Sequence, residues 1–423
     1  MVDQQLTEKL YKTKDECRLC GYNDLLKVIH LGDSPISEKY TAAKDSPEKQ
    51  VRVPLDLYFC NHCTHVQLID VVDPDYLWAD FTFKTSNNRA LVSHFDDYAL
   101  NSIRFSGANA TDLIVDIGSN DGTLLKAFQK RGLNNVLGVD PAEEIATLAN
   151  SEGVPTIIGY LNFVTTARIL EQHGKAKIVT ANNVYAHVDD LSGMTKAITR
   201  LMRLDGVFIF EVSYLLDVVQ KNLIGTIFHE HLCYHSIRAL IPFLDKHGLK
   251  LLRVERGKEQ GGSIVCYAQF KEVLQRENGS VSKLLDLEEQ SHLGDSKTLV
   301  EMSARLETVK AKVRALLNEL RNEGHVIAGF GAARAGTTLL SYFEIGELVD
   351  YLVDDNEGKH YRYSPGDQLQ VLPTAEIYSR KPDYLLILAW IHADNIIKSH
   401  ARFLENGGAF IRIFPEVEVI QRQ

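Results

Sequence analysis

The sequence lacks any excess of positive charge: 46 lysines and arginines stand against 56 aspartates and glutamates, a formal net charge of -10. With no basic field to gather phosphate backbones, general nucleic-acid binding is not expected, and an anionic substrate would need local, specific contacts. Long hydrophobic runs are missing too. No stretch approaches the roughly 20 apolar residues of a membrane-spanning helix, and the opening MVDQQLTEKLYKTKDE is polar, without the apolar centre of a signal peptide. The expectation is a soluble, cytoplasmic protein with no membrane partner. Cysteine is scarce, 6 in 423 residues, which argues against a disulfide framework. The chain is long enough for two or three domains that bury their own cores without covalent staples, and a monomer is expected.

Four of those cysteines nevertheless fall into two C-x-x-C pairs, Cys17 and Cys20 in CRLCG, Cys60 and Cys63 in CNHC. Each pair has the tight spacing that aims two thiolates at one ion, and four thiolates favour tetrahedral zinc. With every position filled by sulfur no place remains for water, so the metal is expected to be structural. His62 and His65 lie nearby and are surplus to that set.

From Leu113 the chain reads LIVDIGSNDGTLLKAF. An apolar strand ends at Asp116, a turn runs through Gly118, Asn120 and Gly122, and a helical pattern follows. Glycines let a backbone approach a ligand closely, and a helix start offers unpaired N–H groups. A second strand, NVLGVDP, ends at Asp140, where a carboxylate can hold two ribose hydroxyls. Dinucleotide-binding folds and class I methyltransferases share this layout. D-x-G-x-N-x-G departs from G-x-G-x-x-G and better resembles the S-adenosylmethionine motif. Downstream, AKIVTANNVYAHVDDL ends a strand at Asn182 and Asn183, with Tyr185 and His187 beyond, and GVFIFEVSYLLDV carries Glu211 at its exit. In a doubly wound sheet such strand ends line the ligand crevice.

The densest cluster is GTIFHEHLCYHS, with His229, Glu230, His231, Tyr234 and His235. A metal site, an acid and base pair and a polar loop are the candidate readings. H-E-H at successive positions is not a usual chelating spacing, and four thiolates already account for one ion. Near the C-terminal end, HVIAGFGAARAGTTLLSYF opens a second α/β pattern after a long charged helix. Its Gly329, Gly331 and Gly336 invite a dinucleotide reading, but Arg334 stands where the third glycine of the fingerprint would fall.

Taken together, CRLCG, CNHC, DIGSNDGTLL, ANNVYAHVDDL, FHEHLCYHS, GGS and LAW resemble the sugar C-methyltransferases that act on nucleotide-linked 4-keto-deoxyhexoses, from Cys17 to Pro415. The resemblance implies an α/β protein: a class I methyltransferase Rossmann-like core, an N-terminal zinc-binding domain and a C-terminal Rossmann-like α/β domain. The expected divisions are 1–80, 81–272 and 273–423. It implies S-adenosylmethionine-dependent C-methylation, at C3, of a dTDP-linked 4-keto-6-deoxyhexose through an enolate. His231 is then the base, with Glu230 orienting it or binding sugar, His187 at the oxyanion, and His229 and Tyr234 also in the catalytic set. Asp116, Gly118, Asn120, Gly122, Asp140 and Asn182 are expected at the methyl donor. Phe83, Arg334 and Lys359 are expected at the substrate, Arg334 as a phosphate contact. The sequence departs from the family pattern at Phe228 and at Phe81 or Phe83, where tyrosines are usual. It departs again at Ala335, usually lysine, and at Ile391, usually asparagine. Two other readings stay open: an O-methyltransferase, which removes no proton from carbon, and a zinc-dependent scaffold with a degenerate methyltransferase core.

Overall fold

A strand without polar alternation must be buried on both faces, and IVDI is such a strand. In the computed structural model, which describes residues 10–44, 51–78, 83–274 and 277–422, Ile114–Ile117 is buried throughout. It pairs in parallel with Val136–Asp140 on one side and Ala176–Asn182 on the other. The sheet continues to Thr156–Ile158 beyond the second strand and to Met202–Ser213 beyond the fourth. Two antiparallel strands close it, Ser263–Phe270 and then Leu249–Gly257. This seven-stranded order, with its reversed strand next to the edge, is that of a class I methyltransferase core.

The second sheet has six strands around Ile327–Phe330. Tyr351–Asp354 and Val371–Pro373 lie to one side; Tyr384–Ile387, Ala409–Arg412 and the antiparallel Glu418–Ile420 lie to the other. Between the sheets runs the helix Ser296–Asn322, whose start is capped by Asp295 accepting from Lys297 N–H. Its buried residues Leu299, Met302, Leu306, Val313, Leu317 and Leu320 recur at helical spacing, giving one inward stripe.

The second cysteine pair lies at the turn between two strands of a four-stranded antiparallel sheet, and the first lies just ahead of another of its strands, Leu25–Ile29. Three strands are N-terminal, Leu25–Ile29, Leu57–Cys60 and Val66–Leu68; the fourth is Cys233–Tyr234 from the histidine segment. Cys233 pairs with Gln67 and Tyr234 with Val66, and Leu68 N–H donates to the Leu232 carbonyl at 3.0 Å. GTIFHEHLCYHS is therefore stitched into the cysteine-bearing sheet and is not a loop lying free over the crevice. One continuous apolar core runs from Cys17 through the methyltransferase sheet to Phe414. Among the described residues, no helix is long and apolar enough to cross a membrane.

Candidate functional site

Each cysteine pair closes on a turn: Gly21 N–H donates to the Cys17 carbonyl at 2.8 Å and Thr64 N–H to the Cys60 carbonyl at 2.9 Å. Both turn residues lie in the left-handed region, Gly21 at φ 80° and Thr64 at φ 63°. The four sulfurs converge, all within 4.8 Å of one another. Cys17 and Cys63 Sγ are 3.5 Å apart, and Cys20 and Cys60 Sγ 3.6 Å. A tetrahedral zinc with Zn–S bonds of about 2.3 Å needs sulfurs about 3.8 Å apart, so the cluster fits that ion. The Cys63 thiol donating to Cys17 holds that sulfur down to about 5, whereas burial pushes Cys20 up to about 12. Thiols so crowded cannot all ionise unless a cation shares the site.

The glycine turn after the first strand, hereafter the donor turn for the role expected of it, is built by steric exclusion. Gly118, at φ 68°, lies so close to Val184 that a Cβ would fall 2.2 Å from its Cγ2. Gly122, at φ 75°, starts the helix Thr123–Gln129 and has Val154 in the same relation at 2.8 Å. Asp116 is buried and accepts from Thr180 Oγ1 at 2.6 Å; burial raises it to about 7. Asp140 accepts from Asn120 N–H at 2.8 Å through Oδ2 and from Ala142 N–H at 2.9 Å through Oδ1. Each of its oxygens keeps a lone pair able to accept from one further donor. The Asn182 side-chain amide, by contrast, is buried without a hydrogen bond. An unused amide, a carboxylate with lone pairs to spare and glycines with no room for a Cβ suit a nucleoside-bearing donor.

Asn120, expected at the methyl donor, also ties that turn to a neighbouring segment. Its φ is 51°, and its side chain is committed to the chain segment that precedes the core. Oδ1 accepts from Thr85 N–H at 2.9 Å and Thr85 Oγ1 at 3.1 Å, while Nδ2 donates to the Phe83 carbonyl at 2.9 Å. Asp121 Oδ2 accepts from Ser86 N–H at 2.9 Å. Residues 83–86 thus form a strap fastened to the donor turn. Phe83 enters through its carbonyl, and its ring is 45% exposed. Phe81 lies outside the described residues.

Three consecutive side chains of the histidine segment reach three different units. His229 donates from Nε2 to the Val53 carbonyl at 3.0 Å, in the N-terminal part. Glu230 accepts from Arg334 Nε at 3.0 Å, in the C-terminal part, and from Ser37 Oγ at 3.1 Å. His231 stays with the methyltransferase core, its ring 4.9 Å from that of His187 and 3.9 Å from that of Phe228. Since a carbonyl only accepts, the 2.8 Å contact between His231 Nδ1 and the Thr226 oxygen places the proton on Nδ1 and leaves a lone pair on Nε2. Burial pushes His231 down to about 4 and depresses His187 as well. Trp78 stacks on the far face of His187 at 5.4 Å, and Tyr234 directs its hydroxyl to the Thr226 carbonyl at 3.4 Å.

Three family models cover this layout: a zinc binding domain at residues 17–78, a methyltransferase domain at 94–254 and a C-methyltransferase C-terminal domain at 258–415. The C-methyltransferase NovU of Streptomyces niveus is 32% identical over 410 residues, 97% of each chain. This chain belongs to the C-methyltransferase family. The enzyme is S-adenosylmethionine-dependent, and its four-cysteine cluster is a zinc site. A shorter likeness runs to the ubiquinone biosynthesis O-methyltransferase of Colwellia psychrerythraea (strain 34H / ATCC BAA-681), 28% identical over 153 residues, 33% of this chain and 61% of that protein. Among solved structures, magnesium protoporphyrin IX methyltransferase (ChlM) from Synechocystis PCC 6803 with bound SAH is 18% identical. The match covers 45% of this chain and 90% of that one, with a TM-score of 0.34.

In this C-methyltransferase the cations singled out in the C-terminal sequence already hold carboxylates. Arg334, the first residue of the helix Arg334–Phe343, carries Glu230, with Glu38 at 3.9 Å. Lys359 donates to Glu38 at 2.9 Å and to the Ala332 carbonyl at 2.7 Å. Ala335 faces Gly225 at the entrance to the histidine segment, and Ile391 is 40% exposed. Sequence reasoning missed the strap and the partners of Glu211. That carboxylate is fully buried, 2.6 Å from His94 Nε2 and 2.6 Å from Ser263 Oγ. The GGS tripeptide that ends at Ser263 was the available signal.

Proposed function

We propose that the enzyme methylates C3 of a nucleotide-linked 4-keto-6-deoxyhexose, with dTDP as the nucleotide, by way of an enolate. The observation that carries this reading is the tautomer of His231. A neutral, buried imidazole with its Nδ1 proton tied to Thr226 offers Nε2 as a base. The proton at C3 moves to His231 Nε2, and the electron pair of the C–H bond passes into the enolate. A base held near 4 is weak, so proton removal depends on stabilising the oxygen that becomes negative; that charge in turn raises the affinity of His231 for the proton. His187, with an unpartnered Nε2 and its ring against that of His231, serves that oxygen. Bound S-adenosylmethionine supplies the electrophilic methyl group.

In this reading Asp116, Gly118, Gly122, Asp140 and Asn182 hold the donor, and Asn120 acts through the strap. Phe83, Arg334 and Lys359 border the sugar nucleotide, whose diphosphate must exchange with Glu38 on Lys359. Glu230 and Tyr234 fix the loop that carries His231, and His229 anchors it to the N-terminal part. We take the functional divisions as 1–80, 81–272 and 273–423, and the enzyme as a cytoplasmic monomer. The test is solvent deuterium exchange at C3, followed by NMR in dTDP-4-keto-6-deoxyglucose with S-adenosylhomocysteine in place of the donor. Wild-type enzyme should exchange that proton, and His231→Ala should slow exchange by about 10²- to 10⁴-fold with sugar-nucleotide binding retained. Methyl transfer without any exchange would favour O-methylation.

A further inference from the structure

His187 stands on a loop with fixed points on both sides. Its own N–H closes a turn on the Val184 carbonyl at 2.8 Å, and the Ala186 carbonyl before it accepts from Cys233 N–H at 3.0 Å. Two residues after it comes Asp189, and then Asp190 caps the helix Leu191–Leu201 by accepting from Gly193 N–H at 2.8 Å. The Asp189 carboxylate is turned towards the N-terminal part: Lys12 Nζ lies 2.8 Å away, Lys14 Nζ 3.7 Å and Arg18 Nε 3.2 Å. Lys12 is 71% exposed, whereas the Arg18 side chain is wholly buried. A buried guanidinium is costly unless its partners are fixed, so Arg18 is the cation that holds Asp189 in one place.

Arg18 lies between the zinc cysteines Cys17 and Cys20. Its backbone N–H donates to Gln67 Oε1 at 2.9 Å, and its Nη1 donates to the Leu68 carbonyl. Gln67 and Leu68 are also the residues that hold the other histidine segment. Gln67 pairs with Cys233, and Leu68 N–H donates to the Leu232 carbonyl at 3.0 Å. One guanidinium thus reaches the His187 loop through Asp189 and the His231 segment through Leu68. The two rings stack at 4.9 Å, and His187 Nε2 has no hydrogen bond, so their spacing is set by the backbones that carry them.

We propose that Arg18 and Asp189 are positioning residues for proton removal, their ion pair fixing His187 against His231. The planar fork of an arginine serves a carboxylate and a carbonyl at once, which a lysine ammonium on a flexible stem does not reproduce. This inference rests on the reading of His231 as the base and His187 as the partner of the enolate oxygen.

The test uses the full, zinc-loaded enzyme and three measurements: deuterium exchange at C3 with S-adenosylhomocysteine present, calorimetric affinity for S-adenosylhomocysteine, and the ring ¹³Cε1 resonances of labelled histidines. Arg18→Lys and Asp189→Asn should each slow exchange by about 10- to 100-fold while leaving S-adenosylhomocysteine affinity within about twofold. Both should also move the His187 resonance, identified by its loss in His187→Gln, with zinc content unchanged. Lys12→Ala, which removes only the exposed partner of Asp189, should alter none of these. If Arg18→Lys loses its metal, Asp189→Asn, which changes no residue between the cysteines, decides the matter alone. Wild-type exchange or an unmoved His187 resonance in Asp189→Asn would overturn the assignment, as would an equal loss in Lys12→Ala. Wild-type exchange in His231→Ala would remove the underlying reading instead.

Discussion

Replacing Glu230 by glutamine would keep the shape of the side chain and remove its charge from between Arg334 and Ser37. Glu230 is almost wholly buried, whereas Arg334 keeps a quarter of its side chain exposed and retains Glu38 at 3.9 Å. The loss should therefore be that of one charge-assisted contact, about 1–3 kcal/mol, and not the full penalty of a stranded buried ion. Urea denaturation would measure it, with the midpoint falling at unchanged slope. An unaltered midpoint would show that the pair contributes nothing net. At this scale the sequence marks chemistry without assigning it. His229 and His231 are two residues apart in one motif, yet His229 bonds to Val53 through Nε2 and His231 to Thr226 through Nδ1, so opposite ring nitrogens are left with the lone pair. Only the turn closed by His231 N–H on the Phe228 carbonyl, at 2.9 Å, separates their directions, and residue type does not encode it.

The donor turn was readable because its strand, glycines and helix are contiguous, so local periodicity and steric freedom suffice to place it. The strap and the fourth strand of the zinc-bearing sheet were not. Thr85 meets Asn120 through hydrogen bonds, and Cys233–Tyr234 pairs with Val66–Leu68 across most of the N-terminal half. Such pairings follow from tertiary packing and leave no mark on a short window of sequence. The shared sheet ties a structural metal to the distant segment that carries His231. Withdrawing zinc with a chelator should release one ion per chain and raise amide exchange at residues 232–235. Methyl transfer should fall with it, although no zinc ligand touches a reacting atom. Hydrogen-exchange mass spectrometry alongside metal analysis would follow this; metal-free enzyme with the same protection at 232–235 would dissociate the two.

Across the whole molecule, His65, His229, His231 and His235 are buried and His187 is half-buried, and all five are depressed by loss of solvent, His231 and His235 to about 4. Unfolding restores them to about 6.5, so between those values the unfolded chain binds more protons than the native one. Stability is then fully present above about pH 6.5 and is lost on acidification, by up to about 1.4 kcal/mol per pH unit for each histidine. Asp116, raised by burial to about 7, acts in the opposite sense, as do His94, raised against burial by Glu211, and the carboxyls of Asp70, Asp140, Glu288, Asp354 and Asp367, raised by burial, so the expected fall is the histidine contribution less theirs. Denaturation midpoints recorded from pH 7 to pH 5 should fall steadily; a flat profile would mean that some of these imidazoles are charged in the native state. The turn at residues 229–231 carries a different consequence, for modularity. Its neighbour Cys233–Tyr234 is the outer strand of the zinc-bearing sheet. An N-terminal piece cut away from the rest would keep its metal but bare the Val66–Leu68 edge, an open template for pairing with other chains. A piece of this chain meant to stand alone must accordingly be larger than the zinc-binding segment that its cysteines outline.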